Sequence, residues 1–169
     1  VRTNSCQDAA ILPGPHAVVV FSPGYTGMFT DSTFLFEELA SRGYVVTSIA
    51  HTYETTAVEL PEGRVATSIF GSYLTAAGMR SDFSSVSRAF SVRLADLSFV
   101  LDELNRLNQV RSGPFVGALD ISHIAVMGHS LGGVAAMTAL ESEGQRCAYV
   151  THPLSPQLSD PAAQAILGH

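Results

Sequence analysis

His123-Ile-Ala-Val-Met-Gly-His-Ser-Leu-Gly-Gly133 is the stretch that decides the fold. The run from His123 to Met127 is short, apolar and rich in β-branched residues, which predicts a buried strand. Leu131 to about Glu143 reads as a helix, with Gly144 where its cap belongs. Between them, Gly128-His-Ser-Leu-Gly132 fits G-x-S-x-G. The logic of that pattern is a sharp strand-to-helix turn that lifts the Ser130 hydroxyl above the sheet edge. Neighbouring chains approach closely there, so Gly128 and Gly132 carry no side chains to collide. Ser130 would sit at a helix N-terminus, whose free N–H groups and positive dipole end favour the oxyanion of acyl transfer. The strand before and the helix after are the context the motif demands. A plain tight turn without chemistry is the other reading. A phosphate loop is excluded, because Gly128 to Gly133 has neither G-x-G-x-x-G spacing nor a Lys-Ser/Thr pair.

Working outward, Ala17 to Phe21 predicts another buried strand, ended by Ser22-Pro23-Gly24. Thr30-Asp-Ser-Thr33 offers helix N-cap chemistry, Phe34, Leu35, Leu39 and Ala40 recur near helical spacing, and Gly43 suits a C-cap. Tyr44 to Ala50 is a second buried strand, so a parallel β-α-β unit with a right-handed crossover is expected. The loop Phe21-Ser-Pro-Gly-Tyr-Thr-Gly27 stands where such folds take a second oxyanion N–H. The two donors would be the amides of Tyr25 and Leu131; an ordinary β-α turn is the alternative.

Residues 51–84 predict a long connection with some helix. Its Phe70, Tyr73, Leu74 and Met79 could line a pocket or fill the core. Val86, Phe90, Leu94, Leu97, Leu101, Leu104 and Leu107 step by three and four, one apolar stripe on a long helix. Arg93/Asp96 and Asp102/Arg106 read as charge pairs on its solvated face. Cys147 to Val150 reads as a short fourth strand, and Pro153, Pro156 and Pro161 then break the chain. The expected organisation is one α/β domain over 1–150, a mostly parallel open sheet with helices on both faces, and an irregular tail over 151–169.

Composition bounds the partners. The chain has no lysine, nine arginines against 15 acids, and a net charge of -6. That excludes a backbone-phosphate binder, which needs a basic face. With 46% hydrophobic and 14% charged residues, the 169-residue chain is not a disordered one. No apolar run approaches the roughly 18 residues of a membrane span. Cys6 and Cys147 are isolated and read as small apolar side chains. No cluster has metal-ligand spacing.

The runs Val18-Val-Val-Phe-Ser-Pro-Gly-Tyr-Thr-Gly27, Glu37-Glu-Leu-Ala-Ser-Arg-Gly-Tyr-Val-Val46 and Gly128-His-Ser-Leu-Gly-Gly133 resemble the α/β-hydrolase superfamily. More narrowly they are similar to the platelet-activating-factor acetylhydrolase and dienelactone-hydrolase-like esterases. Arg93-Leu-Ala-Asp-Leu-Ser-Phe-Val-Leu-Asp102 and the run from Leu119 to Ser130 match that branch too. The resemblance implies a serine esterase needing no metal or cofactor, with Ser130 as nucleophile and Tyr25 and Leu131 as oxyanion donors. Its substrates would be small-molecule or lipid esters with short acyl groups, phospholipid acetyl esters included.

The resemblance breaks at the general base and its acid. In this fold both follow the nucleophile. Where the family's acid should stand, this chain has Ala148-Tyr-Val-Thr-His-Pro-Leu-Ser155, with no Asp or Glu. Asp160 and His169 keep the order but lie in the Pro-broken tail, and His152 follows the strand beside the elbow without an obvious acid. His129 reads as a packing residue, and His51 and His16 as polar loop residues. Both ends of the fold look cut. The alternative expectation is therefore a catalytically incomplete hydrolase fragment or variant, acting as a binding or interaction module. Exposed sheet edges would then favour self-association.

Overall fold

The computed structural model describes residues 2–69, 83–143 and 147–151. The elements are β1 (His16–Ser22), α1 (Thr33–Ser41), β2 (Val45–Ser48), β3 (Ala57–Glu59), β4 (Val65–Thr67), α2 (Phe83–Gln109), β5 (Leu119–Gly128), α3 (Leu131–Glu143) and β6 (Cys147–Thr151). Strands β2-β1-β5-β6 form one sheet in that order, and every pairing in it is parallel. Because β1 is interior and covered on both sides, Val18 to Ser22 are all buried, which is why the run is continuously apolar rather than alternating.

Side-chain alternation along β1 assigns the helices to faces. Val18 and Val20 pack with Leu97 and Leu104 of α2 and with Ala135, Ala136 and Ala139 of α3. Phe21 points the other way, and its ring meets Phe36 of α1 edge-on at a centroid distance of 5.1 Å. Helices therefore cover both faces, as the α/β pattern required. The register also aligns the strand ends: Ser22 pairs with Gly128, Gly128 with Thr151, and Phe21 with Ser48. One edge of the sheet thus gathers the ends of all four strands, where open α/β sheets build their sites.

Several local expectations are corrected. The strand predicted at His123 begins at Leu119, because β5 contains an irregularity: Ala17 pairs with Asp120, but Val18 pairs with Ile124. The Asp120 carboxylate holds the extra residues, accepting from the Ser122 amide at 3.1 Å and from His123 Nδ1 at 2.7 Å. No side chain caps α1 at Ser32; Thr33 Oγ1 bonds the Thr30 carbonyl and Asp31 accepts from the Met28 amide. At its other end Gly43 takes φ 91°. The Gly43 and Tyr44 amides return to Ala40 and Leu39, the bond pattern of a Schellman cap. The described part of the connection after β2 carries an antiparallel hairpin, β3 with β4, which the sequence pattern did not show; residues 70–82 of that connection lie outside the described residues. Arg106 pairs with Glu103 rather than Asp102, its Nε reaching the carboxylate at 2.7 Å. That contact holds the Glu103 carboxyl below its ordinary value.

Candidate active site

Ser130 stands between β5 and α3 with φ 51°, a left-handed conformation that costs a non-glycine residue energy. Backbone contacts hold it there. The His129 amide donates to the Ser22 carbonyl at 3.1 Å, and the Gly132 and Gly133 amides fold back onto the His129 and Ser130 carbonyls. A Cβ on Gly128 would lie 2.3 Å from the Gly132 carbonyl carbon, and one on Gly132 would lie 2.1 Å from the Ser22 carbonyl oxygen. Both glycines are therefore steric requirements of the turn. Ser130 itself is half-buried, and Leu131 N–H, the first of α3, makes no backbone hydrogen bond among the described residues.

The loop after β1 passes beside the serine. A Cβ on Gly24 would lie 3.6 Å from Ser130 Cβ and 2.8 Å from His129 Nδ1, so Tyr25 begins immediately next to the elbow. The His129 ring lies against this loop. The loop closes on itself through the Gly27 amide, which donates to the Gly24 carbonyl at 2.9 Å.

The side chain behind this loop is Arg93, which sequence reading had placed on the solvated face of α2. It is 1% exposed. Its Nη1 donates to the Pro23 carbonyl at 2.5 Å and to Ser22 Oγ at 3.0 Å, and its Nη2 donates to the Gly24 carbonyl at 2.9 Å. Nε and Nη2 also bind the buried Glu54 carboxylate. Glu54 Oε1 in turn accepts the Thr26 amide at 3.2 Å. Every group of this buried pair has a polar partner, the condition under which a desolvated ion pair is tolerated.

A second buried chain runs alongside. His51 is 1% exposed, not a polar loop residue. Ser22 Oγ lies 2.9 Å from His51 Nε2, and His51 Nδ1 lies 2.7 Å from Asp96 Oδ2. The Asp96 carboxylate can only accept, so Nδ1 carries the proton given to it and Nε2 is left to accept from the Ser22 hydroxyl, whose oxygen accepts from Arg93. Asp96 thus leaves the expected Arg93 pair and holds His51 instead. This Ser-His-Asp chain has no opening at its serine, because Ser22 is fully buried.

Of the four described histidines, His129 is exposed with its ring against the Gly24 loop, and the other three are engaged away from Ser130. His16 bonds the Leu12 and Gly43 carbonyls, His51 bonds Ser22 and Asp96, and His123 bonds Asp120. His152, Asp160 and His169, like Phe70, Tyr73, Leu74 and Met79, lie outside the described residues. Among the described residues no group of three His, Cys, Asp or Glu could hold a metal ion, and no helix is long and apolar enough to cross a membrane. A groove between the end of β2 and α2 is lined by residues that include Thr47, Ile49, Thr52, Val92, Asp96 and Phe99 and do not include Ser130.

No family model and no curated protein matches the chain. Among solved structures it is similar to a ferulic acid esterase from Streptomyces cinnamoneus, with 32% identity and a TM-score of 0.59. The match covers 85% of this chain and 40% of that one. The chain therefore spans less than half the length of the esterase it matches. The parallel sheet, the helices on both faces and this likeness together make the architecture an α/β-hydrolase fold.

Proposed function

We propose that the protein is a carboxylic-ester hydrolase working through an acyl-enzyme on Ser130. The observation that carries this reading is the left-handed Ser130 held directly beside the Gly24-Tyr25 loop. In this reading Ser130 Oγ attacks the acyl carbonyl as its proton passes to a histidine base. The negative charge that develops on the carbonyl oxygen is met by the Tyr25 and Leu131 amides at the positive end of α3. Collapse of the tetrahedral intermediate expels the alcohol, which takes the proton from the base. Water, deprotonated by the same base, then releases the carboxylic acid and restores the serine. The base is a histidine outside the described residues, with His152 and His169 the chain's own candidates and Asp160 the candidate acid. The substrates are short-acyl esters, phospholipid acetyl esters among them.

A fluorophosphonate probe tests the nucleophile in the full-length protein. Labelling at Ser130 that disappears in S130A supports the reading, together with turnover of p-nitrophenyl acetate. A panel adding methyl ferulate and an acetyl phospholipid then sorts the substrate class. A protein that neither labels nor turns over any of the three is not a serine esterase.

A further inference from the structure

We infer that the buried Arg93–Glu54 pair is the device that aims the oxyanion donor of the Ser22–Gly27 loop, making Arg93 a positioning residue for ester hydrolysis. The inference rests on the esterase reading and specifies how its oxyanion site is held. The argument is one of peptide geometry. The described chain contains no cis peptide bond, so in each peptide plane the C=O and the next N–H point in opposite directions. Arg93 Nη2 holds the Gly24 carbonyl, and that carbonyl shares its plane with the Tyr25 N–H. Fixing the oxygen on the Arg93 side therefore fixes the Tyr25 N–H on the opposite side. Arg93 Nη1 fixes the preceding plane through the Pro23 carbonyl. Glu54 fixes the following plane through the Thr26 N–H. Three consecutive peptide planes are thus set by one ion pair.

The alternatives available to the loop show why such a device is needed. Glycine at 24 leaves this backbone free to turn, and a Cβ there would lie 2.8 Å from His129 Nδ1, so a larger residue would have to push that ring aside. The loop's own Gly27-to-Gly24 bond restrains the same carbonyl but reaches neither neighbouring plane. The guanidinium is planar and forked, so it can hold two successive carbonyls and a carboxylate at once; a lysine ammonium cannot match that geometry. The pair has a second effect. A cation hydrogen-bonded to the Gly24 carbonyl polarises that peptide and strengthens its N–H as a donor on the far side. Glu54 balances the charge, so the loop is held without leaving a lone buried cation.

The test uses the full-length protein carrying R93M/E54L, because replacing both partners of a buried ion pair with apolar residues preserves stability better than removing one. The expected result is a folded protein whose kcat falls by about 10²-fold, the loss typical of one oxyanion donor, while KM moves by less than about threefold. Hydrogen exchange at the Thr26 amide should accelerate in parallel. A folded double variant with wild-type kcat overturns the inference, as does a loss carried by KM alone. Should the double variant not fold, R93K decides: it keeps the charge and lacks the fork, so an unchanged kcat in that variant overturns the inference equally. If the wild-type protein shows no turnover and no labelling at Ser130, the esterase reading is what fails. Thr26 exchange then still reports whether the pair pins the loop, and unaltered exchange in the variants overturns that too.

Discussion

The α-carbon of Gly132 sits so close to the Ser22 carbonyl oxygen that a Cβ added there would lie 2.1 Å from it. Two segments distant in sequence, the end of β1 and the first turn of α3, meet backbone to backbone at this point. Neither can retreat, because His129 N–H is bonded to the same carbonyl. G132A should therefore lose about 1–3 kcal/mol of stability or more, the range for overpacking against atoms that cannot yield. Urea unfolding measures this, and a variant as stable as wild type would show that the two segments separate freely.

Strain at Ser130 has the opposite signature. Its φ of 51° favours glycine, whereas alanine keeps the Cβ that makes the conformation costly. Both S130G and S130A remove the hydroxyl, so neither should be labelled by a fluorophosphonate. S130G should nonetheless be the more stable of the two, by about 0.5–1 kcal/mol once the greater freedom of glycine in the unfolded chain is counted. Equal unfolding midpoints would argue against a strained elbow.

His51 is held at both ring nitrogens, by Ser22 and by Asp96. H51A leaves the buried Ser22 hydroxyl without its acceptor and opens a void beside β1. A destabilisation of about 1–3 kcal/mol is expected. D96N keeps an oxygen that can accept from Nδ1 at a part-exposed position, so its effect should stay below about 1 kcal/mol. Thermal melts of the two variants compare them directly, and a larger loss in D96N than in H51A would reverse the account.

The β5 irregularity carries a pH dependence. Hydrogen bonds from Ser122, and then from His123, hold the Asp120 carboxyl below its ordinary value. A carboxyl with a depressed folded-state pKa stabilises the fold above its unfolded value. That contribution disappears as pH falls through the lowered folded value. D120N should accordingly be slightly less stable than wild type near neutrality, and the gap should close on acidification below the ordinary carboxylate range. Unfolding of both proteins across that range checks it; a gap that widened at low pH would contradict the sign.

The alternation of strands and helices was legible from local pattern alone. Val18–Val20 and Ile124–Val126 are apolar because they are buried in a parallel sheet, and the step of three and four from Phe90 to Leu104 marks the face of α2 that packs on it. The glycines at 128 and 132 were equally legible, because the tight turn leaves no room for a Cβ at either position. The hairpin of β3 and β4 was not, since strands of three residues are too short to show a period. Nor was the interior polar network. Arg93 and Asp96 look in sequence like any solvated helical charge pair. Their true partners, Glu54 and His51, lie 39 and 45 residues away. Whether a charge faces water or a buried carboxylate depends on which segments the fold stacks above it. The sequence by itself therefore determined the long strands and helices and the glycine turn around Ser130. Only the tertiary structure decided what holds the facing loop in place, because that depends on contacts between residues no local pattern connects.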